Sequence, residues 1–141
     1  MAARKRSALA FVVALILVAL FATPATANGA PTLTVADTTT LVEDGDAVLA
    51  RVVVSCPEGT EVLEAHLRIS QDEQTVSGEA PIFGIICDGR IRTRVVRVSP
   101  LEGQFHAGEA FASAFLLVID PDTGQTQQAH DAKTVLVRGR P

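Results

Sequence analysis

The stretch Ala47–Gly59, AVLARVVVSCPEG, decides the fold class, because it joins a clean period-2 strand to one of only two cysteines in the chain. Val48, Ala50, Val52, Val54 and Cys56 share one face, and Leu49, Arg51, Val53 and Ser55 share the other, so the cysteine side is the core side. Pro57-Glu58-Gly59 turns the chain after Cys56, as Asp88-Gly89 does after Cys87. Two apolar segments therefore end in a cysteine beside a turn, which predicts a staple at one pole of a β structure.

Working outward to the N-terminus, Arg4-Lys5-Arg6 precedes 15 unbroken apolar residues, Ala8–Ala22, and Ala25-Thr26-Ala27 has the small-x-small form of a cleavage site. The apolar run is shorter than the roughly 20 residues of a membrane-spanning helix. The expectation is a signal peptide over 1–27, a mature N-terminus at Asn28 and a secreted, extracellular domain over 28–141, with no membrane attachment once the leader is gone. Removing 27 of the 141 residues leaves 114, enough for one domain with its own core. The mature chain keeps 9 Lys and Arg against 16 Asp and Glu, a net charge of −7, which argues against nucleic acid or an anionic membrane as partner. In an exported chain the two cysteines form one disulfide, Cys56 to Cys87, with about 3.5 to 4 kcal/mol of stabilisation expected from chain entropy.

Further strands follow in order. Leu33–Val42 is a β-branched run interrupted by Ala36-Asp37, and Glu43–Asp46 supplies a turn into the Cys56 strand. Val62–Gln71 alternates, with Leu63, Ala65, Leu67 and Ile69 facing in and Glu64, His66, Arg68 and Ser70 facing out. Asp72–Ala80 reads as a polar loop with room for a short extra strand. Ile82–Cys87 reads as a strand that returns through Asp88-Gly89 into Arg90–Ser99 as a hairpin. Leu101–Glu109 is a long connection, Ala110–Ile119 the longest apolar strand, Asp120–Gly124 a Pro-containing turn, and Thr134–Arg138, or a strand starting as early as Gln125, the last element. About seven strands without an amphipathic helix predict an all-β, Ig-like, two-sheet antiparallel sandwich. The chain departs from antibody-type domains in having no Trp and no cysteine on its sixth strand.

The leader, the opening PTLTVADTTTLVEDGDAV and the motifs VVVSCPEG, ICDGR and AFLLVIDPDTG resemble the small secreted actinobacterial proteins of unknown function with Ig-like folds. The Arg-rich, Lys-poor, Ala- and Val-rich usage is similar to that of a GC-rich actinobacterium. Over its first two strands the chain is also similar to the secreted chromophore-binding apoproteins of the neocarzinostatin type, although it lacks the two short-loop disulfides of that family. The first resemblance implies fold and location; the second implies a small-ligand carrier.

No constellation for catalysis stands out. His66, His106 and His130 are scattered without metal-ligand spacing, and no Ser lies in a G-x-S-x-G elbow. Asp120 and Asp122 are weak candidates for a calcium site, with Glu43, Asp44 and Asp46 as further oxygens if they share an end of the fold; the plain turn is the favoured reading. Arg90, Arg92 and Arg94 alternate onto the same side as Val96 and Val98, so a bulge near Val95 or a projecting strand end is expected.

The function expected is a non-catalytic, cofactor-free extracellular binding or adhesion module, whose partner is a protein, a wall polymer or a small molecule. The alternatives are the small-ligand carrier and, ranked lower, a protease inhibitor presenting Leu101–Glu109. For the binding face, Phe111, Phe115, Leu117 and Ile119 are expected in the core. That leaves Leu116 and Val118, with Ala112 and Ala114, on an outer apolar floor rimmed by Glu64, His66 and Arg68 of the neighbouring third strand.

Overall fold

The computed structural model describes residues 29–140; the stretch 1–27 expected as a signal peptide, its expected cleavage site and Asn28 lie outside the described residues. Seven strands run in chain order: β1 Thr32–Val42, β2 Ala47–Ser55, β3 Glu61–Gln71, β4 Val76–Pro81, β5 Arg92–Val98, β6 Gly108–Ile119 and β7 Thr126–Arg138. They form one mixed sheet in the order β4-β3-β6-β7-β1-β2-β5. Every pairing is antiparallel except β1 with β7. The fold is therefore all-β, as the periodicity predicts, and no helix among the described residues is long and apolar enough to cross a membrane.

The two separate layers expected from the sequence are instead hydrogen-bonded into one curled sheet, and β1 is what joins them. Its first half pairs only with β2, the register slips between Val35 and Thr39, and its second half pairs with β2 on one side and β7 on the other. Ala36-Asp37, which interrupts the β-branched run, sits at that slip. Curling brings the two edge strands together at one end, where the Leu101 N–H donates to Ser77 O at 2.9 Å just beyond β5. At this close approach an ideal Cβ on Gly78 of β4 would lie 2.1 Å from Ser99 O, so only glycine fits.

The interior is lined as the period-2 reading of β2 requires: Val48, Ala50, Val52, Val54 and Cys56 are buried, together with Val35, Leu67, Ile69, Val98, Val135 and Val137. The connection between β5 and β6 straps the end where the edges meet. Phe105 drops from it into the core, and its N–H donates to Gly45 O at 2.9 Å. Gln71, also buried, accepts from His106 N–H at 2.9 Å and donates to His106 O at 2.8 Å, fixing the strap to the end of β3.

At the opposite pole Cys56 and Cys87 form the expected disulfide, with Cα atoms 4.7 Å apart. The hairpin expected from Ile82–Cys87 into Arg90–Ser99 does not form. The fourth strand is Val76–Pro81, and β5 pairs with β2 throughout, in continuous register from Val54/Arg92 to Val48/Val98. Residues 82–91 must cross between the two edge strands, at opposite ends of the strand order, and so cannot fold back on β5. Asp88-Gly89 still turns the chain, with the Gly89 N–H on Cys56 O at 2.9 Å and the Arg90 N–H on Asp88 Oδ1 at 3.0 Å.

Candidate functional site

The pairing of β3 with β6 sets His66 against Phe115, Glu64 against Leu117 and Arg68 against Ser113. These residues share the outward face, and Phe111 continues the row beside Ser70. Leu116 and Val118, expected on this face, are fully buried on the other side, in line with Ala110, Ala112 and Ala114. The face of β6 is thus inverted relative to the sequence reading. The reason lies in the neighbouring strand: Ala112 stands opposite Ile69 and Ala114 opposite Leu67, two large buried side chains that leave no volume for Phe111 or Phe115 beside them. The larger residues of β6 are turned out, Phe111 to 49% exposure, and Phe115, Leu117 and Ile119 are half-buried.

The third strand carries a second departure. Its register shifts between Val62 and Glu64, so Leu63 is bulged out and exposed instead of facing the core, while Leu67 and Ile69 keep their expected burial. Glu64, His66 and Arg68 remain outward. His66 lies over Phe115 with ring centroids 5.5 Å apart, its Nδ1 3.2 Å from Glu64 Oε1 and its Nε2 4.0 Å from Glu79 Oε1 on β4. On the far side β7 presents Gln128 and His130 opposite Leu117 and Phe115. The floor expected from Leu116 and Val118 is therefore absent, and Phe111, Phe115 and Leu117 stand on the outward face in its place, between polar side chains of β3 and β7.

Asp120 and Asp122 sit in the turn between β6 and β7, where Asp120 Oδ1 accepts the Asp122 N–H at 2.9 Å and Asp120 O accepts the Gly124 N–H at 2.7 Å. Glu43, Asp44 and Asp46 sit in the β1–β2 turn. Because β7 runs parallel to β1 and antiparallel to β6, the two turns lie at opposite poles and cannot share an ion. No group of three ligating side chains converges among the described residues.

Arg92 and Arg94 take the same side as Val96 and Val98 without a bulge, since the 82–91 crossing folds over them. Arg92 pairs with Asp88, and this ion pair holds the Asp88 carboxyl below its ordinary value. Arg94 Nε donates to Gly84 O at 2.8 Å. Arg92 and Arg94 thus fasten the crossing to β5. Arg97, on the opposite side of the strand, pairs with Glu43.

No protein-family model matches the chain, and no curated protein matches it in sequence. Among solved structures it is similar to Spo0M, the sporulation control protein from Bacillus subtilis, at 16% identity and a TM-score of 0.42, over 80% of this chain. The match takes in 51% of the Spo0M chain, so this protein spans about half the length of the structure it is similar to.

Proposed function

We propose that this protein is a secreted, non-catalytic binding module and that the outward face of β3, β6 and β7 is its docking surface. The observation that carries the reading is the row Phe111, Phe115 and Leu117. Three large apolar side chains stand at least partly open to solvent on one face of a central strand, with Ser113 between Phe111 and Phe115, where a solvated sheet face would be polar. Glu64, His66 and Arg68 on one side and Gln128 and His130 on the other supply the polar rim of an interaction patch. Aromatic residues in such a floor are the side chains that dominate binding energies.

An Ig-like identity accords with the strand order and with β1 pairing antiparallel to β2 and parallel to β7. The leader-like N-terminus and the disulfide support an exported location, since disulfides persist in oxidising compartments. The experiment is a comparison of the wild-type protein with Phe115→Ser/Leu117→Ser as bait against the cell-envelope fraction of its source organism. A partner retained by the wild type and lost by the variant, with the variant still folded by a cooperative melting transition, supports the reading. Equal retention by both moves the binding site to the loops.

A further inference from the structure

On the other half of the sheet, the register slip of β1 leaves a hollow of about 320 Å³ in the outward face of β1, β2 and β5. Val35 stands opposite Val52 and Thr39 opposite Ala50, so Ala36, Asp37 and Thr38 together face the single β2 residue Arg51. Thr38, Thr40 and Arg51 bring two hydroxyls and a guanidinium to the wall, and Leu49 and Val95 bring apolar surface, Val95 at 64% exposure. No carboxylate of the described residues lines it. Asp37, the nearest along the chain, is engaged by Lys133 Nζ at 3.3 Å, and Glu43 is engaged by Arg97. The domain carries 16 acidic side chains, more than its basic ones, yet Arg51 has no ion-pair partner among the described residues. Cross-strand pairing sets Arg138 of β7 beside Thr40, and it too has no ion pair among the described residues.

We infer that this hollow is a binding site for a small organic phosphate or sulfate, its tetrahedral head on Arg51 and the two threonine hydroxyls and its carbon body against Leu49 and Val95. Each part of the wall selects for that class. A guanidinium engages two oxygens of such a head side by side through its fixed fork. Threonine hydroxyls donate to a third oxygen, one that a carboxylate held by the same fork does not have. The apolar wall gains by covering a carbon body, because β5 is the edge strand and nothing in the sheet beyond it shelters Val95. The negative charge of the whole domain opposes an extended polyanion, so the ligand is a single charged head and not a polymer. The hollow belongs to β1, β2 and β5, whereas the proposed docking face belongs to β3, β6 and β7, and neither requires the other.

The test is chemical-shift titration of the purified, isotope-labelled protein at low ionic strength with butyl phosphate and butyl sulfate, beside inorganic phosphate, butyrate and butanol. The expected result is saturable binding of the two esters with Kd on the order of 1 mM, as befits one guanidinium and two hydroxyl contacts. Shifts should centre on Thr38, Thr40, Arg51 and Val95, and physiological salt should weaken the binding. Arg51→Gln should weaken it by at least about tenfold and Thr40→Val by about threefold. Both positions are exposed on their strands, and a cooperative melting transition shows that each variant is folded. Inorganic phosphate and butyrate should each bind at least about threefold more weakly than butyl phosphate, the first for want of a carbon body and the second for want of a third oxygen. Equal affinity for inorganic phosphate overturns the organic body, and equal affinity for butyrate overturns the tetrahedral head. Shifts elsewhere on the protein, butanol binding as well as the esters, or ester binding untouched by Arg51→Gln overturns the site. The Phe115→Ser/Leu117→Ser protein should bind butyl phosphate as the wild type does, which separates failure of this site from failure of the docking face.

Discussion

The carboxylate of Asp131 on β7 accepts the backbone N–H of Val35 on β1 at 2.8 Å, bridging the place where the two strands have not yet begun to pair. Backbone pairing between them starts only at Thr38. Without the carboxylate, the Val35 N–H would face the gap with no partner, on a residue that is itself fully buried. Lys133 Nζ, 3.4 Å from Asp131 and 3.3 Å from Asp37, ties the same carboxylate to the slipped segment of β1. Asp131→Ala is expected to destabilise the fold by about 1.5 to 3 kcal/mol, the range for a hydrogen bond to a charged acceptor. Asp131→Asn, which keeps an acceptor oxygen, should lose less. Urea unfolding of the three proteins checks the order.

Closure of the sheet depends on Gly78. A methyl group there would meet the Ser99 carbonyl, a backbone atom that cannot swing aside, and Val98 Cγ1 lies at 3.0 Å behind it. Gly78→Ala should therefore cost more than about 3 kcal/mol, well above the propensity cost of any glycine change. Gly59→Ala is the control: its site is open, its φ of +82° is the sole objection, and about 1 kcal/mol is expected. Comparable losses at the two positions would show that the edge strands are not held in contact.

Thr39 is 2% exposed on the inner side of β1, between Ala50 of β2 and Val137 of β7, and its hydroxyl has no partner among the described residues. The isosteric Thr39→Val removes an unsatisfied polar atom from an apolar surrounding and should stabilise the protein by about 1 kcal/mol. A lower midpoint in the variant would mean that the hydroxyl is satisfied in solution.

His106 gives the strap a pH dependence of defined sign. Its ring, hydrogen-bonded to the Ala107 carbonyl and to the Asp72 carboxylate, has its pKa raised above the ordinary 6.5. A raised value in the folded state means that the contribution is complete below the unfolded pKa and fades as pH climbs through the folded one. Ring and carboxylate are both about half exposed, so solvent screening keeps the contribution small. The stability difference between wild type and His106→Gln should shrink from about pH 5.5 to pH 8.5, read from paired melting curves. A difference that grows with pH would contradict the geometry.

How far the sequence could be read depends on what each strand offered. The alternation of β2 has a single charged residue, Arg51, to orient it, and its buried row came out as expected. The pairing of cysteines followed from parity, and the third strand does neighbour the sixth. Ile82–Cys87 reads as a strand because its residues are apolar, whereas the constraint that decides the course of residues 82–91, the long path from one edge strand to the other, belongs to the topology. Over β6 side-chain size favours the row of Phe111, Phe115 and Leu117 for the core, but the polar residues Glu109 and Ser113 fall on that same row and mark it as the outer one. The volumes of Leu67 and Ile69 on the adjacent strand, which the alanines complement, settle that face.

That inversion gives a sharp pair of expectations at adjacent positions. Leu116 is fully buried among the core residues, and truncation there leaves a cavity that the surrounding sheet can fill only in part. Leu116→Ala should therefore lower stability by about 2 to 5 kcal/mol, seen as a lower urea midpoint at unchanged slope. Leu117 points the other way, half-buried beside Glu64, with one side already in contact with water. Leu117→Ala removes less sheltered area and leaves no closed cavity, so about 1 kcal/mol or less is expected. If the two losses were reversed, β6 would present Leu116 and Val118 to solvent after all. The docking surface would then have to be rebuilt on the opposite row.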